Sequence, residues 1–207
     1  MRAVALLIKR AIDVAGALFG LTVFAIPMAV IAAVIKLDSK GPVFFLQERV
    51  GRQGRVYRIF KFRTMVPGAV SLPGGITTWR GDPRVTRVGR ILRDKGLDEL
   101  PQFINVLVGD MSLVGPRPTV PEQVAKAPEQ HRRRLAVRPG MTSLPVVVAR
   151  NRLSWHRKIE LDEEYIARWS LWLDLKIMVL TVWVAIATRE GAFKAGMEND
   201  PLSETRK

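Results

Sequence analysis

Cysteine is missing altogether, and with it go disulfides, thiolate nucleophiles and cysteine-ligated zinc. Histidine is nearly absent too. His131 and His156 are the only two in 207 residues, in basic or aromatic surroundings and without a second imidazole at ligand spacing, so both read as surface or packing residues. Neither a glycine-rich dinucleotide loop nor a phosphate-binding P-loop occurs, which argues against NAD and ATP sites. Acids are scarce, 19 against 33 lysines and arginines, for a formal charge of +14. Such a balance selects anionic partners: nucleic acid, anionic lipid headgroups or phosphorylated substrates. The 48% hydrophobic content argues against nucleic acid, because soluble nucleic-acid binders rarely carry long apolar runs beside a basic surface. The length suits one domain with its own core, plus a membrane element.

That element is residues 14–35, apolar except for Gly16, Gly20, Thr22 and Pro27. The run exceeds a signal-peptide core of about 7 to 15 residues and reaches the roughly 20 that span a bilayer. Two features argue against a plain span. Pro27 falls within it and should bend the helix. Both flanks are basic, with Arg2, Lys9 and Arg10 before and Lys36 and Lys40 after, so the positive-inside bias holds both ends on the cytoplasmic side. Asp13 lies one turn after Lys9 and Arg10; an acid so near hydrocarbon is costly unless paired, and this spacing lets either of them neutralise it in a helix-end ion pair.

Val43–Gln47 and Val56–Arg63 read as two strands joined by a turn at residues 51–54, crowded with Arg49, Arg52, Arg55, Arg58, Lys61 and Arg63 among aromatics. Such a surface suits a membrane interface or single-stranded nucleic acid, and the neighbouring apolar run favours the membrane. Residues 67–81, rich in glycine, proline and threonine, predict a mobile loop, either a lid or a passive connection. Arg80, Arg84, Arg87, Arg90 and Arg93 then lead into Asp98 and Glu99. Leu97, Leu100, Ile104 and Leu107 recur at steps of three and four, so a short helix ended by Gly109 should carry the acidic pair in its first turn. There the two carboxylates are either ordinary helix-start residues or, beside the arginines, a site for a phosphorylated substrate and a divalent metal. With Arg93 close by, Asp98 is expected to have a lowered pKa. Further on, Arg117 is held between Pro116 and Pro118, residues 129–138 predict a basic surface helix, and the tryptophan-rich last third predicts helices at a membrane interface. Asp174 and Lys176 argue against a second span there.

Taken in order, Lys9-Arg10-x-x-Asp13, Ser39-Lys40-Gly41-Pro42, Lys61-Phe62-Arg63-Thr64-Met65, Asp82-Pro83-Arg84-Val85-Thr86-Arg87, the stretch from Asp98 to Pro118 and Arg138-Pro139-Gly140 resemble the bacterial sugar transferases. These are monotopic phosphoglycosyl transferases, which load a sugar phosphate onto polyprenyl phosphate. The resemblance covers nearly the whole chain. It implies a small mixed α/β domain with surface and interfacial helices (39–188), anchored by a re-entrant membrane helix-break-helix (1–38) and followed by a polar tail (189–207). It implies that Lys9, Arg10, Asp13 and Pro27 serve the membrane or lipid, and that Asp98 is the nucleophile, with Glu99 beside it. Lys61, Arg63, Arg93, Pro116, Arg117, Pro118 and Arg138 would meet substrate. Mg²⁺ or Mn²⁺ would sit on Asp98 and Glu99, with Asp174 as a third candidate. The partners implied are a UDP-sugar, polyprenyl phosphate and the phospholipid bilayer at the cytoplasmic face of the bacterial inner membrane, with no nucleic acid; a homodimer stays open. Two positions depart from the family pattern: Ile26 stands where relatives have serine, and Ser143 where they have glycine. A non-catalytic basic protein that binds membranes or nucleic acid is the alternative, and it would tolerate loss of Asp98 and Glu99.

Overall fold

The apolar run folds as two helices, α1 (Arg2–Val23) and α2 (Ala25–Asp38), in a computed structural model that describes residues 2–187 except 74, 76, 77, 80, 127, 128 and 150–152. The pair is bent by 59° around Phe24. Pro27 lies in the first turn of α2, where a missing N–H is tolerated, and Met28 N restarts the ladder by donating to Phe24 O at 2.8 Å. The expected bend is therefore present, as a break between helices. Among the described residues no single helix is long and apolar enough to cross a membrane, and the bent pair passes only when taken together.

One face of α1 is held tightly to the rest of the chain. A Cβ at Gly16 would lie 2.6 Å from Leu113, and one at Gly20 2.6 Å from Phe103, so glycine permits the close approach. Ala17 is buried there with Tyr57, Ile59, Val106 and Met111. The outer faces leave Leu7, Phe19, Ile26 and Leu37 exposed. Asp13 takes neither Lys9 nor Arg10, although the spacing would allow it. It accepts from Ser112 Oγ and Leu113 N, both at 2.9 Å, and so ties α1 to the domain; Lys9 and Arg10 reach other partners across the fold.

β1 (Phe44–Val50) and β2 (Val56–Phe62) form the expected antiparallel hairpin, from Phe44 opposite Phe62 to Val50 opposite Val56. Then come α3 (Arg87–Lys95), α4 (Gln102–Val108), β3 (Ser112–Val114), α5 (Pro121–Lys126), β4 (Gly140–Thr142), α6 (Leu144–Ala149), α7 (Trp155–Ala167) and α8 (Leu171–Ala187). β3 and β4 pair in parallel as a second two-stranded sheet, giving the mixed α/β domain that was expected. α7 and α8 pack on β3 through Val114, Tyr165 and Ile177, while Trp172, Val179 and Trp183 of α8 stay exposed.

Two expectations are corrected by burial. The described part of the 67–81 loop is clasped, because Arg84 donates to the carbonyls of Ala69 (3.0 Å) and Gly75 (2.8 Å) while pairing with Asp82 at 2.6 Å. Arg84 is thereby a buried structural residue, not part of a phosphate-binding face; Arg80 lies outside the described residues. Within residues 129–138, Arg134 turns inward and is buried. Ser143 needs no glycine, since Gln53 is the only described non-glycine residue with positive φ, and the Ser143 carbonyl opens α6 by accepting from Val146 N at 3.1 Å.

Candidate active site

The acidic pair is placed by a helix, a turn and a helix in succession. Thr86 caps α3 by accepting from Gly89 N at 2.9 Å. Gly89 lies so close to the strand extension at Thr64 that a Cβ would stand 2.0 Å from Thr64 O. That closeness brings Arg93 Nε within 2.7 Å of Thr64 Oγ1. Gly96, at φ 68°, ends α3 in the left-handed conformation and leads into a 3₁₀ turn, Leu97–Glu99. Asp98 and Glu99 therefore occupy their own turn. They are not in the first turn of the following helix, which begins at Gln102 after Pro101 and ends, as expected, at Gly109 with φ 95°.

A residue with no functional signal in the sequence registers this turn against the hairpin. Asn105, fully buried on α4, accepts from Phe60 N at 2.9 Å and donates to Arg58 O at 2.8 Å. One amide thus stands in for a strand edge and fixes α4 on β2. Lys61, next along β2, then meets the pair: its Nζ lies 2.7 Å from Glu99 Oε1, and Arg117 Nη2 reaches the same oxygen at 2.8 Å.

The two carboxylates are driven apart electrostatically. Burial works against Glu99 ionisation, yet the charges of Arg117 and Lys61 and their hydrogen bonds outweigh it and hold the group well below the usual range. Asp98 moves the other way. Burial pushes it up, and Lys61, Arg93 and Arg117, opposed by Glu99, do not reverse this. The expected lowering by Arg93 is corrected here, because desolvation dominates. Glu99 is thus a clamped anion, whereas Asp98 is buried and more basic.

Arg117 projects from a strap whose carbonyls are all held. Gly140 N donates to Pro116 O at 2.9 Å, Arg134 Nη2 to Arg117 O at 2.7 Å and Arg49 Nη1 to Pro118 O at 3.2 Å. Arg49, noticed in the sequence only as one of many hairpin cations, has its pKa lowered to about 10, chiefly by burial and further by the charge of Arg117.

The fold thus assembles Asp98, Glu99, Lys61, Arg93 and Arg117, with Pro116 and Pro118 bracketing the last. Other candidates go elsewhere. Arg63 is buried and donates to the carbonyls of Ser39 and Lys40, both at 2.7 Å, which closes the C-terminus of α2. Arg138 donates to Gly109 O at 2.8 Å, and Arg10 to Val106 O (2.7 Å) and Leu107 O (2.8 Å), so both cover the negative end of α4. Asp174 takes Lys9 Nζ at 2.7 Å, Tyr165 Oη at 2.7 Å and Trp169 Nε1 at 3.0 Å; with both oxygens committed beside α1, it does not join the acidic pair. Among the described residues, no group of three or more His, Asp or Glu side chains gathers to hold a metal. Magnesium, however, commonly takes only one or two carboxylates and completes its shell with substrate phosphates and water. The adjacent Asp98 and Glu99 fit that donor chemistry.

The chain belongs to the bacterial sugar transferase family, whose model matches residues 4–188. It is 39% identical over 192 residues to the galactosyl transferase CpsE of Streptococcus agalactiae, covering 87% of this chain and 42% of that protein. It is 43% identical over 194 residues to the undecaprenyl-phosphate glucose phosphotransferase of Komagataeibacter xylinus, covering 87% and 36%. To the UDP-glucose:undecaprenyl-phosphate glucose-1-phosphate transferase of Caulobacter vibrioides it is 42% identical over 194 residues, covering 89% and 72%. The chain thus spans about two fifths of the length of the first two relatives.

Proposed function

We propose that this chain transfers a sugar 1-phosphate from a UDP-sugar to polyprenyl phosphate and releases UMP. The observation that carries the reading is the pairing of a buried, basic Asp98 with a Glu99 clamped by Lys61 and Arg117: a nucleophile stands beside fixed cations able to meet phosphate charge. A carboxylate oxygen of Asp98 attacks the sugar-bearing phosphorus. The bond from that phosphorus to the bridging oxygen breaks, UMP leaves with the electron pair, and a phosphosugar acyl phosphate remains on Asp98. A phosphate oxygen of the polyprenyl acceptor then attacks the same phosphorus, frees the Asp98 carboxylate and carries the sugar away on a diphosphate. Lys61, Arg93 and Arg117 orient the donor phosphates. Mg²⁺ or Mn²⁺ held by Glu99 and Asp98 would offset phosphate charge.

The test is UMP release by the purified chain with polyprenyl phosphate and a panel of UDP-glucose, UDP-galactose and UDP-N-acetylgalactosamine. Release with at least one donor, lost with a chelator and restored by Mg²⁺ or Mn²⁺, is expected. Full turnover without a divalent ion would remove the metal, and silence with every donor would favour the non-catalytic basic binder.

The bent α1–α2 pair, its basic flanks and the exposed apolar faces of α1, α2 and α8 support a re-entrant anchor that enters and leaves the cytoplasmic face of the inner membrane. A cysteine introduced at position 2 should be labelled only from the cytoplasmic side. Labelling from the periplasm of intact cells would overturn this topology.

A further inference from the structure

Arg117 is a half-exposed side chain on an irregular strap, and a half-exposed ion pair is by itself too weak to hold a long side chain in one place. Its position is set from behind. Pro116 and Pro118 restrict the backbone on either side, and the three successive carbonyls of residues 116–118 are taken by donors from three separate elements. The middle donor differs from the others. Arg134 Nη2, buried, bridges Arg117 O at 2.7 Å and Asp162 Oδ2 at 2.6 Å. Its guanidinium also lies 5.7 Å from the Trp155 ring, on the same helix, α7, that carries Asp162. Asp162 is buried in α7 and leaves its other oxygen, Oδ1, without a partner. A buried acid with one oxygen unsatisfied is a costly way to fill a core. It is readily understood if its charge fixes Arg134 in the one orientation that reaches the strap.

We propose that Asp162 and Arg134 are positioning residues for the transfer reaction: the buried pair grips the Arg117 carbonyl and thereby aims the Arg117 guanidinium at Glu99 and the donor phosphates. The chain of contacts runs from Asp162 to Arg134, to the Arg117 backbone, to the Arg117 side chain and to Glu99 Oε1. Neither residue touches substrate. The proposal rests on the transferase reading of the site, and in particular on the role of Arg117.

The test is a double-mutant cycle in the full-length chain, read as kcat/KM for UMP release with whichever of the three panel donors the wild type uses best. Arg134→Gln should lower it about 10- to 100-fold, the loss expected when a reacting group is misplaced by about 1 Å. Arg117→Ala should lower it at least as much. Because Arg117→Ala keeps the backbone carbonyl but leaves nothing to aim, adding Arg134→Gln to it should cost no more than about twofold further. Multiplying losses would show that Arg134 merely supports the fold and would overturn the proposal, as would full activity in Arg134→Gln. Full activity in Arg117→Ala would instead overturn the reading of Arg117 on which the proposal rests. Should Arg134→Gln fail to fold, Asp162→Asn, which keeps the side-chain shape and one acceptor oxygen while removing the charge, carries the same cycle.

Discussion

Asp98→Asn should reduce UMP release from donor alone by roughly a thousandfold or more, the scale on which loss of a covalent nucleophile is felt. The amide keeps the shape of the side chain in its buried turn and removes the anion, so folding should survive. Burial also gives a physical reason for choosing Asp98 over its neighbour. Glu99 is stabilised as an anion by Lys61 and Arg117 on one oxygen and is correspondingly poor at sharing electrons. At Asp98 the charges of Lys61, Arg93 and Arg117 are outweighed by burial, so it is more basic. Glu99→Gln should therefore leave some donor cleavage while weakening metal-dependent turnover, and it also releases two cations that Glu99 now holds. Radiolabelled sugar phosphate should appear on wild-type protein incubated with donor alone, and not on Asp98→Asn. Substantial activity in Asp98→Asn, or a wild-type protein that never takes up label, would rule out covalent catalysis at Asp98.

What could be read from the sequence was whatever local chemistry decides. The helix break just before Pro27, the β1–β2 hairpin and the end of α4 at Gly109 follow from backbone restrictions within a few residues, and each is present. Lys61 and Arg117, far apart in sequence, meet at Glu99. Arginines proved harder, because a guanidinium serves a buried carbonyl, a carboxylate or a phosphate equally well. Arg63 caps a helix, Arg84 clasps a loop and Arg134 enters the core, and nothing in a one-dimensional run of basic residues separates these fates. Asp13 and Asp174 found partners that sequence spacing does not show. Local spacing allowed Lys9 or Arg10 for Asp13, whereas its partners come from β3, and Lys9 instead reaches Asp174, more than 160 residues away. The pKa of Asp98 was misjudged because the nearest cation is visible in sequence and desolvation is not. Asn105 gave no signal at all, since an amide that completes a strand edge looks like any helical asparagine.

Gly89→Ala should destabilise the protein by about 2 to 3 kcal/mol, against the usual direction of that substitution. In an exposed helix interior, alanine in place of glycine stabilises by about 1 kcal/mol. Here the new methyl would lie 2.0 Å from Thr64 O and 2.6 Å from Thr64 C. These are backbone atoms of the segment continuing from β2 and cannot swing aside as a side chain would, so α3 must move. Movement of α3 would break the 2.7 Å bond from Arg93 Nε to Thr64 Oγ1 and displace the turn that follows Gly96, which carries Asp98 and Glu99. Stability and activity should therefore fall together. Arg90→Ala, on the exposed side of the same helix, is the control and should stay within about 0.5 kcal/mol of wild type. Thermal unfolding and UMP release measured on both variants decide the matter: a Gly89→Ala protein that melts at or above the wild-type temperature with full activity would mean that α3 does not depend on its close approach to Thr64 to set the site.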